Sequence, residues 1–159
     1  MNLLNIVDIV ETRHIIEADL LINNPPPYPY NIRRVYSLTL SLKKDDIIHF
    51  EGQVAVKTPS GPPDSSNYFN TWFSLHVCKG QYGKDTMVTH SSNQNIDWQM
   101  HYLPLRVAGL YLALNDERAA EFNVYAFAAS ESVIGIGQSL SVKDGEGHFL
   151  ATHYRRSAS

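Results

Sequence analysis

Two consecutive stretches of this sequence are apolar on both faces of the strands that they predict. They are Arg106–Leu114 and Glu121–Ala129, and Asn115–Arg118 separates them. Successive side chains of a strand point to opposite sides, so a strand with one buried face needs apolar residues only at alternate positions. Because Asn and Asp favour reversals, the pair is predicted to form a β-hairpin with a loop of about four residues. Its second apolar face needs a cover, and another copy of the chain is the simplest one.

The alternation also predicts which residues such a copy would contact. In the first stretch, Leu110, Leu112 and Leu114 share one face, opposite Val107, Tyr111 and Ala113. In the second stretch, Tyr125 and Phe127 lie opposite a face that is led by Phe122 and Val124. The predicted oligomer interface is therefore the set Leu110, Leu112, Leu114, Tyr125 and Phe127.

Charge and composition exclude several classes of function. The formal net charge of −3 leaves no basic surplus for phosphates, so no nucleic-acid partner is predicted. No apolar run approaches the roughly 20 residues that span a bilayer, so no membrane insertion is predicted. The first residues lack a cationic leader, which predicts cytoplasmic synthesis without a signal peptide and is compatible with a place in an assembled particle. A single cysteine, Cys78, excludes an internal disulfide framework and predicts plain packing.

Alternating apolar residues recur along the rest of the chain. Val35–Leu42 and Ile47–Lys57 flank a charged reversal and are predicted to form a second hairpin. The N-terminal part predicts an extended pair or one long bent strand, and helical spacing over Ile15–Leu21 leaves a helix as the alternative. The other predicted strands are Tyr68–Cys78, Thr86–His90, and Val133–Val142 with Gly147–Tyr154 around an Asp-Gly turn. Residues 1–159 are thus predicted to form one all-β domain, an antiparallel two-sheet sandwich or jelly roll of about eight to nine strands.

Three segments are predicted to lie outside this framework. Asn23–Asn31 contains four prolines, which cannot donate to a ladder, and is predicted to be a loop that covers one end of the sandwich. Docking of a partner as polyproline II is the alternative for that segment. Thr58–Asn67 is predicted to be a mobile loop, and Arg155–Ser159 a frayed tail.

Part of the sequence resembles the C1q/TNF-like jelly rolls. The resemblance rests on LKKDDIIHFEGQVAV (Leu42–Val56), on HYLPLRVAGLYLAL followed by FNVYAFAAS, and on the G-x-Y step Gly109-Leu110-Tyr111; it extends from Val35 to Ala129. It implies a compact homotrimer whose inner sheets meet along an apolar axis. The sequence lacks the collagen-like stalk and secretory leader of many animal members, which puts a receptor-ligand role in doubt. Bacterial and viral members that act as lectins or particle-surface proteins fit better.

The best candidate for a ligand site is the aromatic and polar face of the strand that begins at Tyr68. Aromatic rings beside a few convergent polar groups are typical of sites for small ligands, and such a face could bind a glycan or a protein. The same residue types are enriched at subunit contacts, which is the alternative. The predicted ligand-binding residues are Tyr68, Asn70, Trp72, His76, Asp97, Trp98 and His101.

Catalytic and metal patterns are weak in this sequence. His76, His90 and His101 fall near predicted strand ends, but the close pairs that fix zinc, such as H-x-H, do not occur. No catalytic residue, metal or cofactor is therefore predicted. Three hypotheses follow: a non-catalytic oligomeric binding module, a structural assembly protein such as a particle-surface component, and a small metal-dependent enzyme that uses these three histidines.

Overall fold

Two antiparallel β-sheets pack face to face in the computed structural model, which describes residues 3–17, 19–21, 32–57, 71–91, 94–96, 103–130, 139–143 and 145–157. The strands are β1 (Leu4–Thr12), β2 (Asp19–Leu21), β3 (Ile32–Leu42), β4 (Ile47–Lys57), β5 (Thr71–Lys79), β6 (Met87–His90), β7 (Gln94–Ile96), β8 (Leu103–Leu112), β9 (Glu117–Ser130), β10 (Ser139–Val142) and β11 (His148–Arg156). Eleven strands exceed the predicted eight to nine because β2 and β7 are short additions.

Each sheet is built from strands that are not consecutive in the chain. Sheet 1 orders β1, β11, β4 and β8 side by side, and the short β10 and β2 continue beside the last residues of β4. Sheet 2 orders β3, β9, β5 and β6, and β7 pairs with β5. This alternation of the chain between two antiparallel sheets is the jelly-roll topology that the sequence predicts.

Both predicted hairpins are wrong. β8 pairs with β4 in sheet 1, whereas β9 pairs with β3 and β5 in sheet 2. Similarly, β3 and β4 belong to different sheets. Each short turn does reverse the chain, but it also carries the chain across the sandwich, so that the apolar faces of consecutive strands meet through the core.

The two ends of the chain also differ from the prediction. β10 and β11 both run antiparallel to β4, so they follow the same direction and no hairpin forms at Gly145. β1 and β2 pair with β11 and β10 respectively, which matches a long bent strand and not a helix. β11 continues to Arg156, so the tail predicted to fray from Arg155 is paired over its first two residues. The predicted loops 23–31 and 58–67 lie outside the described residues.

The core follows the predicted alternation. Phe50 of β4 lies at its centre, where its ring centroid is 4.7 Å from that of Phe122 and 5.5 Å from that of Phe149. All three rings are fully buried, and buried aromatic pairs contribute about 0.5–1.5 kcal/mol each beyond the burial of their area. The other buried residues that the alternation predicted include Leu38, Leu40, Leu42, Ile48, Val54, Val56, Phe73, Leu75, Val77, Val107, Ala113, Val124 and Ala126.

Candidate functional site

The exposed aliphatic side chains are concentrated at the two edges of sheet 1. Ten large hydrophobic residues are exposed in the described part of the chain, and eight of them lie on or next to the edge strands β1 and β8. They form two groups: the β1 strip, which comprises Leu3, Leu4, Ile6, Val7 and Ile9, and the leucine edge, which comprises Leu110, Leu112 and Leu114. Single exposed apolar residues are ordinary, but contiguous groups mark interaction surfaces.

The leucine edge confirms the predicted faces of the first stretch. Leu110, Leu112 and Leu114 are 65%, 50% and 68% exposed, whereas Val107 and Ala113 on the opposite face are buried. The alternation of β8, continued by the two residues after it, therefore places three leucines in solvent on one side of the chain.

An open groove of about 670 Å³ runs beside the leucine edge; we call it the β8 groove. The end of β5, the start of β6 and the start of β9 form its other walls. Lys79 hydrogen-bonds to Glu117 in this groove, and its Nζ lies 5.7 Å from the ring centroid of Tyr111. The bond to Glu117 raises the pKa of Lys79, so the ammonium stays charged.

A buried ionic cluster holds the leucine edge in place. The backbone N–H of Ala113 donates to the carbonyl oxygen of Asp46 over 2.9 Å, and the N–H of Asp45 donates to the carbonyl of Ala113 over 2.8 Å. Ala113 lies between Leu112 and Leu114 in the chain, so these two bonds fix the backbone from which both leucines project.

The Asp46 side chain is the centre of that cluster. Its Oδ2 lies 2.6 Å from His153 Nε2 and accepts hydrogen bonds from Arg155 Nη2 and the Lys43 N–H, both at 2.8 Å. Its Oδ1 accepts a third bond from Arg155 Nε at 2.8 Å. Burial alone would raise the pKa of Asp46, but the bonds from Arg155, Lys43 and His153 together hold it well below its usual range. Asp46 is therefore ionised, and it links the β3–β4 turn to the end of β11.

The β1 strip is exposed on both sides of its strand. Ile6 pairs with Tyr154 and Ile9 with Thr152 of β11, and a bulge between Ile6 and Asp8 interrupts the alternation at Val7. Ile6 and Ile9 are each 58% exposed, and Val7 is 46% exposed. β1 has one paired neighbour, β11, among the described strands, so its outer backbone edge faces away from sheet 1. Sequence reasoning missed this surface, because an apolar N-terminal strand is equally compatible with a place in the core.

The predicted interface set is divided between the two sheets. Tyr125 and Phe127 lie on the outer face of sheet 2, opposite the buried Val124 and Ala126. The Tyr125 hydroxyl donates to the carbonyl of Gly80 over 3.1 Å, and its ring makes an edge contact with Tyr82 at 5.7 Å. The chain's own β5–β6 connection therefore covers part of the face for which a second copy was predicted. Contact between copies through these five residues stays a prediction.

His76 is the one predicted ligand-binding residue whose side chain is described. The others, Tyr68, Asn70, Asp97, Trp98 and His101, lie outside the described residues, and Trp72 is described only by its backbone in β5. Their role as a ligand site is not tested and stays a prediction.

Around His76, the structure assembles polar and aromatic groups from three elements. Its Nε2 lies 2.9 Å from Ser74 Oγ, and its ring centroid lies 5.9 Å from that of His90 and 5.5 Å from that of Tyr82. His76 Nδ1 is buried without a hydrogen-bond partner among the groups that the structure describes. Burial, and then electrostatic interaction with the neighbouring His90, lower the pKa of His76 to about 4, so the His76 ring is neutral at pH 7. The sequence did not predict a role for Tyr82 at this site, because Tyr82 lies in a Gly-containing turn that shows no strand alternation.

Groups that could support metal or thiol chemistry are few. Within the described ranges, no three His, Cys, Asp or Glu side chains lie close enough together to hold a metal ion. Cys78 is buried, and burial raises the pKa of its thiol, which disfavours the reactive thiolate. The described residues also contain no helix with the length and apolarity needed to cross a membrane.

The fold is similar to that of chains from solved viral particles. A chain from infectious bursal disease virus strain Gt matches with a TM-score of 0.59 and 9% identity over 91% of this chain and 31% of that one. A chain from strain Gx matches with a TM-score of 0.57 and 8% identity, covering 96% and 37% of the two chains. A chain from the VP2 subviral particle of this virus matches with a TM-score of 0.50 and 8% identity, covering 96% of this chain and 37% of that one.

These matches establish the jelly-roll fold and nothing finer. The chain spans about a third of the length of the viral chains it matches. No protein-family model matches the sequence, and no curated protein matches it. The C1q/TNF-like character suggested by the sequence is therefore a resemblance within a shared jelly-roll architecture.

Proposed function

We propose that this chain is a non-catalytic jelly-roll building block that assembles with copies of itself, as a C1q/TNF-like homotrimer, into a larger particle. The observation that carries the proposal is the grouping of eight exposed aliphatic residues on the two edge strands of sheet 1. Leaving such groups in water is unfavourable by about 25 cal/mol for each Å² of apolar surface, and association of copies would remove that surface from water.

The rigidity of the leucine edge supports the same function. An assembly contact needs its side chains held in one geometry, because ordering them on association costs free energy. The Asp46 cluster anchors the backbone of Ala113 inside the leucine edge before any partner binds. The viral chains with the same fold come from assembled particles, which is compatible with this role.

The mass of the native protein in solution tests the proposal. Size-exclusion chromatography with light scattering should report three times the protomer mass, and electron micrographs should show larger assemblies at high concentration. Leu112→Asp should return the protein to the monomer, because a carboxylate would replace a half-exposed leucine at the contact. The matched control is Ile16→Asp, at an exposed isoleucine outside both groups, which should keep the native mass. A wild-type monomer at all concentrations would refute the proposal.

Ligand recognition at the His76 cluster is the second candidate function. The buried His76 Nδ1 without a described partner, beside the rings of His90 and Tyr82, favours it, since a ligand hydroxyl or amide could bind that nitrogen. Glycan-array binding that His76→Gln abolishes, with the oligomeric mass unchanged, would support this candidate over assembly alone. Stoichiometric zinc, iron or copper in the purified protein would instead favour the enzyme hypothesis.

A further inference from the structure

We propose that copies associate head to tail, with the β1 strip of one copy in the β8 groove of the next. This inference rests on the proposed self-assembly and specifies which surfaces meet. The partner at both surfaces is a second copy of this chain, and the contact joins two different parts of the molecule.

The position of the two apolar groups favours unlike surfaces over like ones. The β1 strip and the leucine edge lie at opposite edges of sheet 1, with β11 and β4 between them. A two-fold contact that joined β1 to β1 would leave the leucine edge in water, and a contact that joined β8 to β8 would leave the β1 strip in water. A single head-to-tail contact covers both groups, whereas contacts between like surfaces would need two separate interfaces to do so.

The shapes of the two surfaces are also complementary. Leu3, Leu4, Ile6, Val7 and Ile9 are exposed along a strand whose two sides both carry apolar residues. Packing such a strand on a flat surface would cover only one of its sides, whereas a groove can cover both. The β8 groove has a volume of about 670 Å³, is bordered by Leu110, Leu112 and Leu114, and opens beside β8.

The contact would be made by side chains and not by a continuation of the sheet. Thr89 of β6 donates from its hydroxyl to the carbonyl of Ala108 over 2.9 Å, on the side of β8 that faces away from β4. Gly109 lies against the same threonine, close enough that a methyl group there would clash with it. Part of the β8 backbone edge is therefore occupied within the protomer, and the leucine side chains are what the next copy can reach.

Charge at the two surfaces is largely balanced within each copy. In the β8 groove, Lys79 pairs with Glu117 and Arg34 pairs with Glu121, and the β1 strip itself carries the exposed Asp8. The apolar side chains are therefore what the contact buries.

Eight aliphatic side chains, each about half exposed, present on the order of several hundred Å² of apolar surface. That is of the order expected for the apolar centre of a stable interface of about 1,600 Å². Head-to-tail contacts continue into a filament unless the rotation between copies closes them into a ring. The homotrimer of the proposed function is such a ring with three contacts.

Mixing two variants tests the head-to-tail contact. Ile6→Glu places a charge in the β1 strip and Leu112→Glu places one in the leucine edge, and each alone should be a monomer by light scattering. An equimolar mixture should form a dimer of twice the protomer mass. In that dimer, the intact β1 strip of the Leu112→Glu copy binds the intact β8 groove of the Ile6→Glu copy. The two surfaces that remain free each carry a substitution, so the dimer cannot grow further. Ile16→Glu, at an exposed isoleucine outside the β1 strip and the leucine edge, should assemble like the wild type.

The outcomes separate this inference from the proposed function. A wild-type monomer would refute self-assembly altogether. A wild-type oligomer whose two variants stay monomeric when mixed, or in which either variant alone still assembles, would refute only the head-to-tail contact. Ile9→Glu and Leu110→Glu provide a second pair at positions 58% and 65% exposed, so that a folding defect in one variant leaves the test intact. Circular dichroism of every variant checks the fold.

Discussion

Replacing Asp46 by asparagine should destabilise the protein strongly although it changes only a charge. Asp46 is fully buried, and its carboxylate accepts bonds from Arg155, His153 and the Lys43 N–H. The variant keeps the size of the side chain and one oxygen, but it removes the negative charge and leaves the Arg155 guanidinium facing a neutral amide.

The size of the effect follows from this geometry. Removing one partner of a fully buried ion pair costs about 3–5 kcal/mol, but the Arg155 side chain is 36% exposed, so its unpaired charge keeps contact with water. Asparagine can still accept one of the hydrogen bonds, so we expect the lower end, about 3 kcal/mol. With a urea dependence of about 1–3 kcal/mol per molar, the unfolding midpoint should fall by about 1–3 M. Wild type and variant must be compared at the same protomer concentration, because self-association adds to apparent stability.

The adjacent aspartate is a matched control. Asp45 is exposed and has a positive φ of 70°, a conformation that asparagine tolerates well. Asp45→Asn should therefore change the free energy of unfolding by less than about 0.5 kcal/mol. If Asp46→Asn cost less than about 1 kcal/mol, or no more than Asp45→Asn, the buried cluster would not be what anchors the β3–β4 turn to β11.

Acid should reproduce the effect of the variant. The pKa of Asp46 is lower in the folded protein than in the unfolded chain, so its stabilisation is complete above the unfolded pKa and is lost as the pH falls below it. Wild-type stability should therefore fall more steeply than that of Asp46→Asn at pH values below about 4.

Three further predictions concern other parts of the molecule. Folding lowers the pKa of His76 from 6.5 to about 4, so the unfolded chain binds this proton at a higher pH than the folded protein does. The free energy of unfolding should therefore fall as the pH drops from about 6.5 toward 4. His76→Gln should remove this part of the pH dependence, measured by urea unfolding. Gly147→Ala would place a methyl group against the Gln53 carbonyl and the Tyr36 hydroxyl, and should lower the free energy of unfolding by about 1–3 kcal/mol. Gly80→Ala is the comparison for backbone strain alone, because nothing lies within 4 Å of its added methyl group and its φ is +78°. Phe50→Ala should cost about 3–5 kcal/mol by thermal or urea unfolding, because it removes the ring between Phe122 and Phe149; a cost below about 1 kcal/mol would mean that the core collapses around the site.

Much of the candidate site could be predicted from local pattern. Alternation alone placed Leu110, Leu112 and Leu114 on the side of their strand opposite Val107 and Ala113, and the structure confirms that division. Alternation did not identify the β1 strip as exposed, because isoleucines such as Ile6 and Ile9 are usually buried in a core. Their exposure follows from the position of β1 at the edge of sheet 1, which no local pattern encodes.

The sequence by itself determined which residues form strands and which side of each strand is apolar, because alternation is a property of a single strand and depends only on neighbouring residues. Only the tertiary structure decided which strands pair. Each turn between β3 and β4 or between β8 and β9 is short enough for a hairpin, yet both cross to the other sheet, since burying two apolar faces against each other stabilises the chain more than one local ladder does. The same global arrangement brought Asp46 to Arg155, over a hundred residues away in the chain, and placed the β1 strip and the leucine edge at opposite ends of one sheet.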